Sequence, residues 1–528
     1  MKKRIISAIL VLFISYFALC GRIFGIINTP ELASAQTDIR VRELAEKRGT
    51  IYDKNGYPLV NRETKTIVCA IPNAQTSVAI AKLKGKAFTE DTLLNGYFTT
   101  FSLNEGETIE PTDSIKLFET KKRYSDNVAL HILGYLDGDG NGVCGVEKYF
   151  EKEIKNADGK LSVAYSADAF GRMLTGEAVE IRNENYYSLG GIALTIDREI
   201  QIITENALKN GNIDKGAAVV IDVESGAVLA CASTPTYDRN NIEKYLNDEN
   251  SPFLNRALSA FPVGSVFKPV TVAAAMENGI SEDDFVCTGS IEKSGNIFNC
   301  NKTEGHGKVD LNTALAFSCN PYFIDLSTKV GAKKLLETAK KLGFQKSSNL
   351  GNGYMTDSGT LPDIDDLNSD AAVGNFGFGQ GKLTATPLQI ASCFAVFANG
   401  GTYREPYIYK GAVDEYGGLT PSVKPQGEKV LKTETCQKIS EALYQTTTIG
   451  TGKCAYSSLF KACAKTATAQ SGQYDENGVE IKYCWFAGYF PYENPKYAVC
   501  ILKENGNSGG SDGAPVFKEI SEKIFGLK

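Results

Sequence analysis

Three short motifs in this chain combine a serine or threonine hydroxyl with a lysine or an amide. The first lies in "FPVGSVFKP", where Ser265 and Lys268 follow the chain-breaking residues Pro262 and Gly264. The apolar stretch up to Gly279 predicts a helix, and the i, i+3 spacing puts both side chains on one face of it. A serine hydroxyl becomes a good nucleophile when a base removes its proton, and a buried lysine can lose its own proton and act as that base. The spacing therefore predicts an activated serine, although Ser-x-x-Lys also arises by chance as a helix cap beside a solvated lysine.

The other two motifs follow later in the chain. Ser318 and Asn320 flank a cysteine in "LAFSCNPYF", where a Ser-x-Asn corner can present a hydroxyl and an amide to a cleft. "KACAKTATAQ" supplies Lys465, Thr466 and Thr468 on a predicted strand, which would offer a cation for a carboxylate together with hydroxyl and backbone donors. Taken singly, these motifs are also compatible with an ordinary turn and an ordinary strand. Their order along the chain is typical of serine β-lactamases and penicillin-binding proteins.

Further blocks extend this likeness over nearly the whole chain, which resembles a class B penicillin-binding protein. Such a protein is a peptidoglycan D,D-transpeptidase of cell division, elongation or sporulation. The blocks occur in the family's order and are "RGTIYDKNGYPLV", "HILGYLDGDGNGVCGVEKYF", "LTIDREIQ", "AAVVIDVESGAVLACASTPTYDRN", "LNRALSAFPVGSVFKP", "GHGKVDLNTALAFSCNPYF", "GFGQGKLTATPLQIA" and "WFAGYFP". The N-terminal blocks are absent from β-lactamases and small carboxypeptidases, so they favour the larger enzymes.

The resemblance implies a catalytic role for three residues. Ser265 would attack the penultimate D-Ala carbonyl of a stem pentapeptide, and the terminal D-Ala would leave. Lys268 would be the base for acylation, and Ser318 would relay a proton to the leaving group. An amine on a neighbouring stem peptide would then resolve the acyl-enzyme.

The resemblance also implies the residues that hold the substrate. Asn320 would bind the substrate amide, and Lys465 with Thr466 would bind the terminal carboxylate. The backbone N–H groups of Ser265 and Thr468 would form the oxyanion hole. This chemistry implies neither a metal ion nor another cofactor.

One position departs from the family pattern, because Ala467 stands where the family has glycine. Side chains alternate along a strand, so Ala467 is predicted to face the same side as Lys465, towards the helix that carries the nucleophile. One added methyl group in a packed contact costs about 1–3 kcal/mol through shifts or strain. We expect an active enzyme with a locally adjusted strand, and the alternative is a catalytically silent scaffold of the division or elongation machinery.

The N-terminus predicts a membrane anchor. Residues 2–4 are basic, and the run from Ile5 to Gly21 carries no charge. With Arg22 snorkelling to the interface, a span can reach Ile27, which is long enough to cross a bilayer. The basic residues place the N-terminus in the cytoplasm and the rest of the chain outside the membrane. A cleaved signal peptide is the alternative, but no small-x-small cleavage site follows the run.

The pattern of elements predicts an α+β multidomain protein. We expect a cytoplasmic tail and transmembrane helix in residues 1–30 and an elongated α+β pedestal in residues 31–190. Residues 191–528 would form a penicillin-binding, β-lactamase-like transpeptidase domain. Strand-like segments come first and last in this domain, with a helical middle, so a five-stranded sheet made from both ends and flanked by helices is predicted.

The cysteines and histidines give no clear metal motif. The 13 cysteines are scattered and odd in number, and no Cys-x-x-Cys occurs. Cys287 and Cys300 are either a disulfide or two buried thiols. Only His131 and His306 are present, so a zinc site would need unusual ligands. We expect no metal, and we expect His306 to be a turn or packing residue near the site.

Composition and resemblance together limit the partners. The net charge of −6, with no basic stripe, argues against nucleic acid. The resemblance implies peptidoglycan stem peptides, β-lactams and a multi-pass glycosyltransferase as partners. A β-lactam sensor or hydrolase is a rival function, which the predicted span and pedestal argue against. A D,D-carboxypeptidase activity stays open, because the same acyl-enzyme can react with water.

Overall fold

The computed structural model separates the chain into two compact units. It describes residues 2–27, 38–174, 176, 178–281, 284–474 and 478–527. The first unit comprises residues 1–49, 60–125 and 157–190, and the second comprises residues 50–59, 126–156 and 191–528. The predicted pedestal of residues 31–190 stays a prediction as a domain, and two of its segments belong to the second unit.

The helices and strands have the following bounds. The α-helices are Lys2–Ile27 (α1), Ala74–Lys84 (α2), Lys86–Asp91 (α3), Leu130–Leu133 (α4), Gly145–Tyr149 (α5), Glu151–Lys155 (α6), Arg198–Asn210 (α7), Lys268–Glu277 (α8), Leu311–Ala316 (α9), Asn320–Val330 (α10), Ala332–Lys341 (α11), Asp370–Gly377 (α12), Pro387–Ala398 (α13), Thr433–Thr448 (α14) and Ala514–Phe525 (α15). The strands are Asp38–Lys47 (β1), Thr50–Tyr52 (β2), Glu63–Ala70 (β3), Thr99–Ser102 (β4), Ile115–Lys122 (β5), Gly159–Ala167 (β6), Glu180–Glu184 (β7), Gly191–Leu194 (β8), Gly216–Asp222 (β9), Val228–Thr234 (β10), Phe261–Pro262 (β11), Phe285–Cys287 (β12), Ser290–Lys293 (β13), Asn296–Asn299 (β14), Gly307–Val309 (β15), Thr384–Ala385 (β16), Thr402–Tyr403 (β17), Tyr409–Val413 (β18), Leu419–Pro421 (β19), Glu428–Lys429 (β20), Cys463–Tyr474 (β21), Glu480–Phe490 (β22) and Tyr497–Glu504 (β23).

Helix α1 covers the segment for which a membrane anchor is predicted. Among the residues that the structure describes, no helix has both the length and the apolar character of a membrane span. The anchor therefore stays a prediction.

The first unit contains two three-stranded antiparallel sheets, in the orders β1-β6-β7 and β4-β3-β5. Phe118, Leu161 and Val163 bring apolar side chains from both sheets into one core. Tyr186 joins this core, and its hydroxyl accepts a hydrogen bond from the Lys121 N–H at 2.7 Å. With the helices α2 and α3 between its strands, the unit is α+β.

A five-stranded antiparallel sheet organises the second unit, in the order β10-β9-β23-β22-β21. Its first two strands come from the start of the predicted transpeptidase domain and the other three come from its end, as predicted. A separate four-stranded sheet, β19-β18-β8-β2, contains a parallel β2–β8 pair that the sequence did not indicate.

Helices cover both faces of the five-stranded sheet. On one face α7 and α15 contribute Leu208, Phe517 and Ile520 to a core that contains Phe486 and Ile501 of the sheet. On the other face α13 packs against β9, β22 and β23. Both α7 and α13 begin at capping side chains: Asp197 accepts from the first turn of α7, and Thr386 forms a capping box with Gln389 in α13. This packing leaves β21 at the edge of the sheet, beside the segment that carries Ser265.

Candidate active site

Ser265 lies in a tight 3₁₀ turn, Gly264–Phe267, that runs directly into α8. The Gly264 N–H donates to the Gly379 carbonyl oxygen at 2.8 Å. Gly379 has φ +97°, and a Cβ atom there would lie 1.9 Å from the Gly264 oxygen. Two backbones therefore touch where only glycine fits, and this contact fixes the turn that presents Ser265.

The other side of this turn packs against the edge strand β21. A Cβ atom on Gly264 would lie 3.1 Å from Ala469 Cβ and 3.3 Å from Ala467 Cβ. Ala467 therefore faces the nucleophile turn, as the strand alternation predicted. Its methyl group fills space that Gly264 leaves open, and the β21–β22 register runs without a shift through the pair Ala467 and Trp485. The local adjustment expected of the strand is thus not seen as a register change.

Trp485 is fully buried on β22, next to the strand that carries Lys465. Its indole Nε1–H donates to the Pro262 carbonyl oxygen at 2.8 Å. This bond ties the sheet to the segment immediately before Ser265.

Lys268 starts α8 and is fully buried. Its Nζ donates to the Ser318 carbonyl oxygen at 2.9 Å, to Ser318 Oγ at 3.0 Å and to Asn320 Oδ1 at 2.7 Å. Burial lowers the pKa of Lys268 to about 7, and the nearby Cys319 and Cys300 oppose this change. A lysine with such a pKa is available as a base at neutral pH.

The Ser-Cys-Asn corner that receives these bonds lies between α9 and α10. Ser318 has φ +58°, in the left-handed region that few residues other than glycine adopt. The Cys319 N–H donates to the Ala314 carbonyl oxygen, and the Asn320 Nδ2 donates to the Asn299 carbonyl oxygen at 3.2 Å. Both ends of the Asn320 amide are therefore engaged.

Lys465 is the second fully buried lysine of the site. Its Nζ donates to the Thr466 carbonyl oxygen at 2.9 Å. Burial holds the pKa of Lys465 well below its usual range, and the charge of Lys268 lowers this pKa further. The charge of Lys268 thus destabilises the ammonium form of Lys465.

These elements enclose an open cleft of about 1060 Å³. It is lined by five of the predicted site residues, namely Ser265, Ser318, Asn320, Thr466 and Thr468. Lys268 and Lys465 lie behind the lining. The structure therefore brings the three motifs together, with hydroxyl and amide groups facing the cleft and the two lysine amines behind them.

Several residues that the sequence did not indicate also line this cleft. Thr451 lines it and shares a 2.6 Å hydrogen bond between its Oγ1 and that of Thr466. Phe298 and Asn299 form part of the cleft wall. Gly509 also lines the cleft, and a Cβ atom on Gly509 would lie 2.7 Å from the Ala467 carbonyl oxygen. The glycine-rich segment "GFGQG" was the one sequence signal available for a contact near the site, because its Gly379 supports the nucleophile turn.

Cys287 and Cys300 are not bridged, because all thirteen cysteines are free thiols in the structure. Both are buried, and they lie close behind the Ser-Cys-Asn corner together with His306 and Cys319.

Comparisons with known proteins bear on the whole chain. The chain is 27% identical to stage V sporulation protein D of Bacillus subtilis over 523 residues, which cover 90% of this chain and 77% of that protein. It is also 27% identical to the peptidoglycan D,D-transpeptidase FtsI of Escherichia coli K12 over 538 residues, which cover 95% of this chain and 88% of that one.

A solved structure described as "Structural coordination of polymerization and crosslinking by a peptidoglycan synthase complex" contains a similar chain. The TM-score is 0.70 at 22% identity, with 99% of each chain covered, and this likeness shows the fold. Residues 216–522 match the family model of the penicillin binding protein transpeptidase domain. Because that match spans more than half of the sequence, this chain belongs to the penicillin-binding protein transpeptidase family.

Proposed function

We propose that this chain is a peptidoglycan D,D-transpeptidase that works through an acyl-enzyme on Ser265 and is inhibited covalently by β-lactams. The observation that carries the proposal is the cleft where Ser265, Ser318 and Asn320 meet the threonines of β21, with Lys268 buried behind them. This arrangement supplies a nucleophile, a base and donors for a carboxylate in one place.

Acylation begins when Lys268 takes the proton of Ser265. When it is protonated, Lys268 Nζ donates hydrogen bonds to three acceptors. Loss of one proton frees a lone pair on Nζ, which can accept a hydrogen bond from the Ser265 hydroxyl one helical turn away. Ser265 Oγ then attacks the penultimate D-Ala carbonyl carbon. The backbone N–H groups of Ser265 and Thr468 stabilise the oxyanion, and one such donor is typically worth about a hundred- to a thousandfold in rate.

Collapse of the oxyanion breaks the amide bond to the terminal D-Ala. The leaving nitrogen takes a proton from Ser318, whose Oγ lies 3.0 Å from Lys268 Nζ and is reprotonated by it. An amine of a second stem peptide then attacks the ester, passes its proton back through the same groups and releases Ser265. Water in place of the amine gives a D,D-carboxypeptidase side reaction.

The substrate is held mainly by hydroxyl and amide groups. Thr466 and Thr468 line the cleft and suit the terminal carboxylate, while Asn320 binds the substrate amide. Lys465 acts on the carboxylate from behind this lining, because its Nζ is buried against the Thr466 oxygen. A bound carboxylate favours the ammonium form of Lys465, and the buried cation then keeps a strong field at the anion, since little water screens it.

Ala467 is compatible with this activity. Its methyl group lies beside Gly264 and removes none of the reacting groups. We therefore favour the active enzyme over the silent scaffold.

The proposal includes a single-pass membrane anchor at the N-terminus, with the catalytic unit outside the cytoplasm. Its support is the uncharged run from Ile5 to Gly21 behind the basic residues 2–4. Full-length chain that leaves the membrane fraction on alkaline carbonate washing would contradict the anchor.

The proposal also includes a multi-pass glycosyltransferase partner. Its support is the family resemblance, together with the fold shared with a chain of a peptidoglycan synthase complex. Failure of the tagged full-length chain to co-purify with any polytopic glycosyltransferase from its native membranes would contradict this part.

Incubation of the full-length chain with a fluorescent penicillin tests the core of the proposal. We expect one covalent adduct by intact mass, absent from Ser265→Ala, because Ser265 is the only nucleophile the mechanism uses. A stem pentapeptide with an amine acceptor should then give transfer with release of D-Ala.

The other outcomes of this experiment separate the rivals. Rapid turnover of nitrocefin would indicate a β-lactam hydrolase. A folded protein without adduct would favour the silent scaffold, and Ala467→Gly would then show whether the added methyl group is the cause.

The rate of acylation should rise with pH. The base is the neutral amine of Lys268, whose pKa is about 7 because of burial. We expect the second-order rate constant to fall about tenfold for each pH unit below that value and to level off above it. Lys268→Arg stays protonated and should be slow at every pH. An acylation rate that stays flat or decreases between about pH 6 and about pH 8 would exclude Lys268 as the base.

Gly379→Ala should slow acylation without unfolding the protein. The new Cβ would lie 1.9 Å from the Gly264 oxygen and displace the turn that carries Ser265. A misplacement of about 1 Å can cost about 100-fold in rate. Gly353→Ala is the matched control, because Gly353 also has a positive φ, +78°, but nothing lies within 4 Å of a Cβ there. Equal acylation rates in two variants with equal melting temperatures would show that the glycine contact does not position Ser265.

A further inference from the structure

Among the residues that the structure describes, a single charged side chain lines the active-site cleft. It belongs to Lys482 on β22, which is exposed. The other polar side chains of the lining are hydroxyls of serine and threonine and amides of asparagine and glutamine, which carry no charge. Lys482 takes part in no step of the acylation mechanism, so the cleft contains a cation whose role is unassigned.

The register of β21 and β22 fixes where this cation lies. Thr466, Thr468 and Gln470 are alternate residues of β21 and all line the cleft, as side chains on one face of a strand do. Gln470 is paired with Lys482 across the two strands, so their side chains are neighbours on that face. Gln470 follows Thr466 by four residues, which is about 13 Å along a strand. Lys482 is therefore well separated from the threonine that is proposed to bind the terminal carboxylate.

Lys482 forms no ion pair with any residue that the structure describes. Glu480 lies two positions earlier on β22, but its carboxylate oxygens accept from Gln470 Nε2 at 2.9 Å and from a backbone N–H at 3.2 Å. Lys503 on the adjacent strand β23, by contrast, pairs with Asp512 at 3.1 Å. The ammonium group of Lys482 is thus available to an anion that enters the cleft.

The proposed function fixes the direction in which a donor stem peptide crosses this surface. Its terminal carboxylate lies at Thr466 and its penultimate carbonyl at the Thr468 N–H, so the preceding residues run towards Gln470. β21 is the edge strand of its sheet, and an extended peptide can lie along such an edge as an added strand. Two strand residues cover about 7 Å, so the third residue of the stem, which precedes the penultimate D-Ala, comes beside Gln470 and Lys482.

We propose that Lys482 is a specificity residue that binds a carboxylate of the donor stem peptide, upstream of the bond that Ser265 attacks. The inference rests on the proposed function, because that function sets the direction of the donor. The chemistry that fits is a diamino acid with a side-chain carboxylate at the third position of the stem. An amidated carboxylate lacks the charge, and a lysine at this position would bring a second ammonium group towards Lys482, which repels it.

The isoglutamate at the second position of the stem is another source of the same carboxylate chemistry. It lies one residue farther from the scissile bond than the diamino acid. Both sources would interact with Lys482 as an anion, so they are separated by placing an amide at one position or at the other.

The contribution of Lys482 should appear in substrate binding. Lys482 lies away from the reacting atoms, and a contact that is equally strong in the ground state and the transition state changes KM and leaves kcat unaltered. An ion pair on an exposed lysine is typically worth about two- to fivefold in affinity. Added salt should reduce this effect, because it screens exposed charges.

The first test measures binding in the absence of catalysis. The full-length Ser265→Ala chain is titrated calorimetrically with soluble stem pentapeptides whose carboxylates at the second and third positions are each free or amidated. We expect amidation at the third position to weaken binding about two- to fivefold, and Lys482→Met in the same chain to abolish this difference. Lys482→Glu should reverse the preference. Lys496→Met is the matched control, because it removes an exposed lysine just before β23 and should keep the preference.

The remaining outcomes of the titration are equally informative. Equal affinity for free and amidated peptides, or the same preference in every variant, would overturn the proposal. A preference that depends on Lys482 but follows only the carboxylate at the second position would support the anion subsite and assign it to the isoglutamate.

The second test uses the catalytically intact full-length chain and follows both D-Ala release and acylation by fluorescent penicillin. We expect a free carboxylate at the third position to lower KM about two- to fivefold with kcat unaltered. Penicillin acylation combined with a KM that ignores the stem carboxylates would overturn the subsite and leave the proposed function standing. Absence of penicillin acylation, combined with the Lys482-dependent preference in the titration, would overturn the proposed function and leave the anion subsite standing.

Discussion

The site depends on keeping a lysine amine in the protein interior. Lys268 is fully buried, and a buried ammonium is costly unless acceptors surround it. Three acceptors come from a single corner, formed by Ser318 and Asn320. The gathering of three acceptors around Lys268 Nζ explains the positive φ of Ser318. An extended backbone at Ser318 would not turn both its carbonyl and its hydroxyl towards that nitrogen. Burial lowers the pKa of Lys268 to about 7, and the nearby Cys319 and Cys300 oppose this change.

The opposite wall is governed by backbone contact. Gly264 is held between the Gly379 carbonyl and the alanines of β21, so the nucleophile turn has backbone or a methyl group on both sides. This seam explains why Ala467 fits: the alanine supplies the methyl where Gly264 has no side chain. Small residues on both surfaces allow the strand that bears Lys465 to approach the turn closely. The spacing of the cleft is thus set by the main chain.

Local patterns in the sequence predicted the chemistry and much of the fold. The alternation along β21 is local, and it placed Ala467 correctly towards the nucleophile turn. The helix predicted to carry Ser265 starts only at Lys268, because Ser265 lies in the 3₁₀ turn that precedes it. The same holds for the five-stranded sheet, whose strands have clear apolar runs. Contacts between distant segments were not predictable in this way: Gly264 with Gly379 and Thr451 with Thr466 follow no period. The convergence of Cys287, Cys300, His306 and Cys319 was missed for the same reason, because these residues are widely spaced along the chain.

The two residues that bind the catalytic base are separated by a single residue. Cys319 lies between Ser318 and Asn320, so a constraint on Cys319 restrains both partners of Lys268. A residue with positive φ such as Ser318 costs about 1–3 kcal/mol and persists only where the surroundings constrain it. The bond from Cys319 N–H to Ala314 supplies one constraint, and the Asn299–Asn320 bond supplies a second.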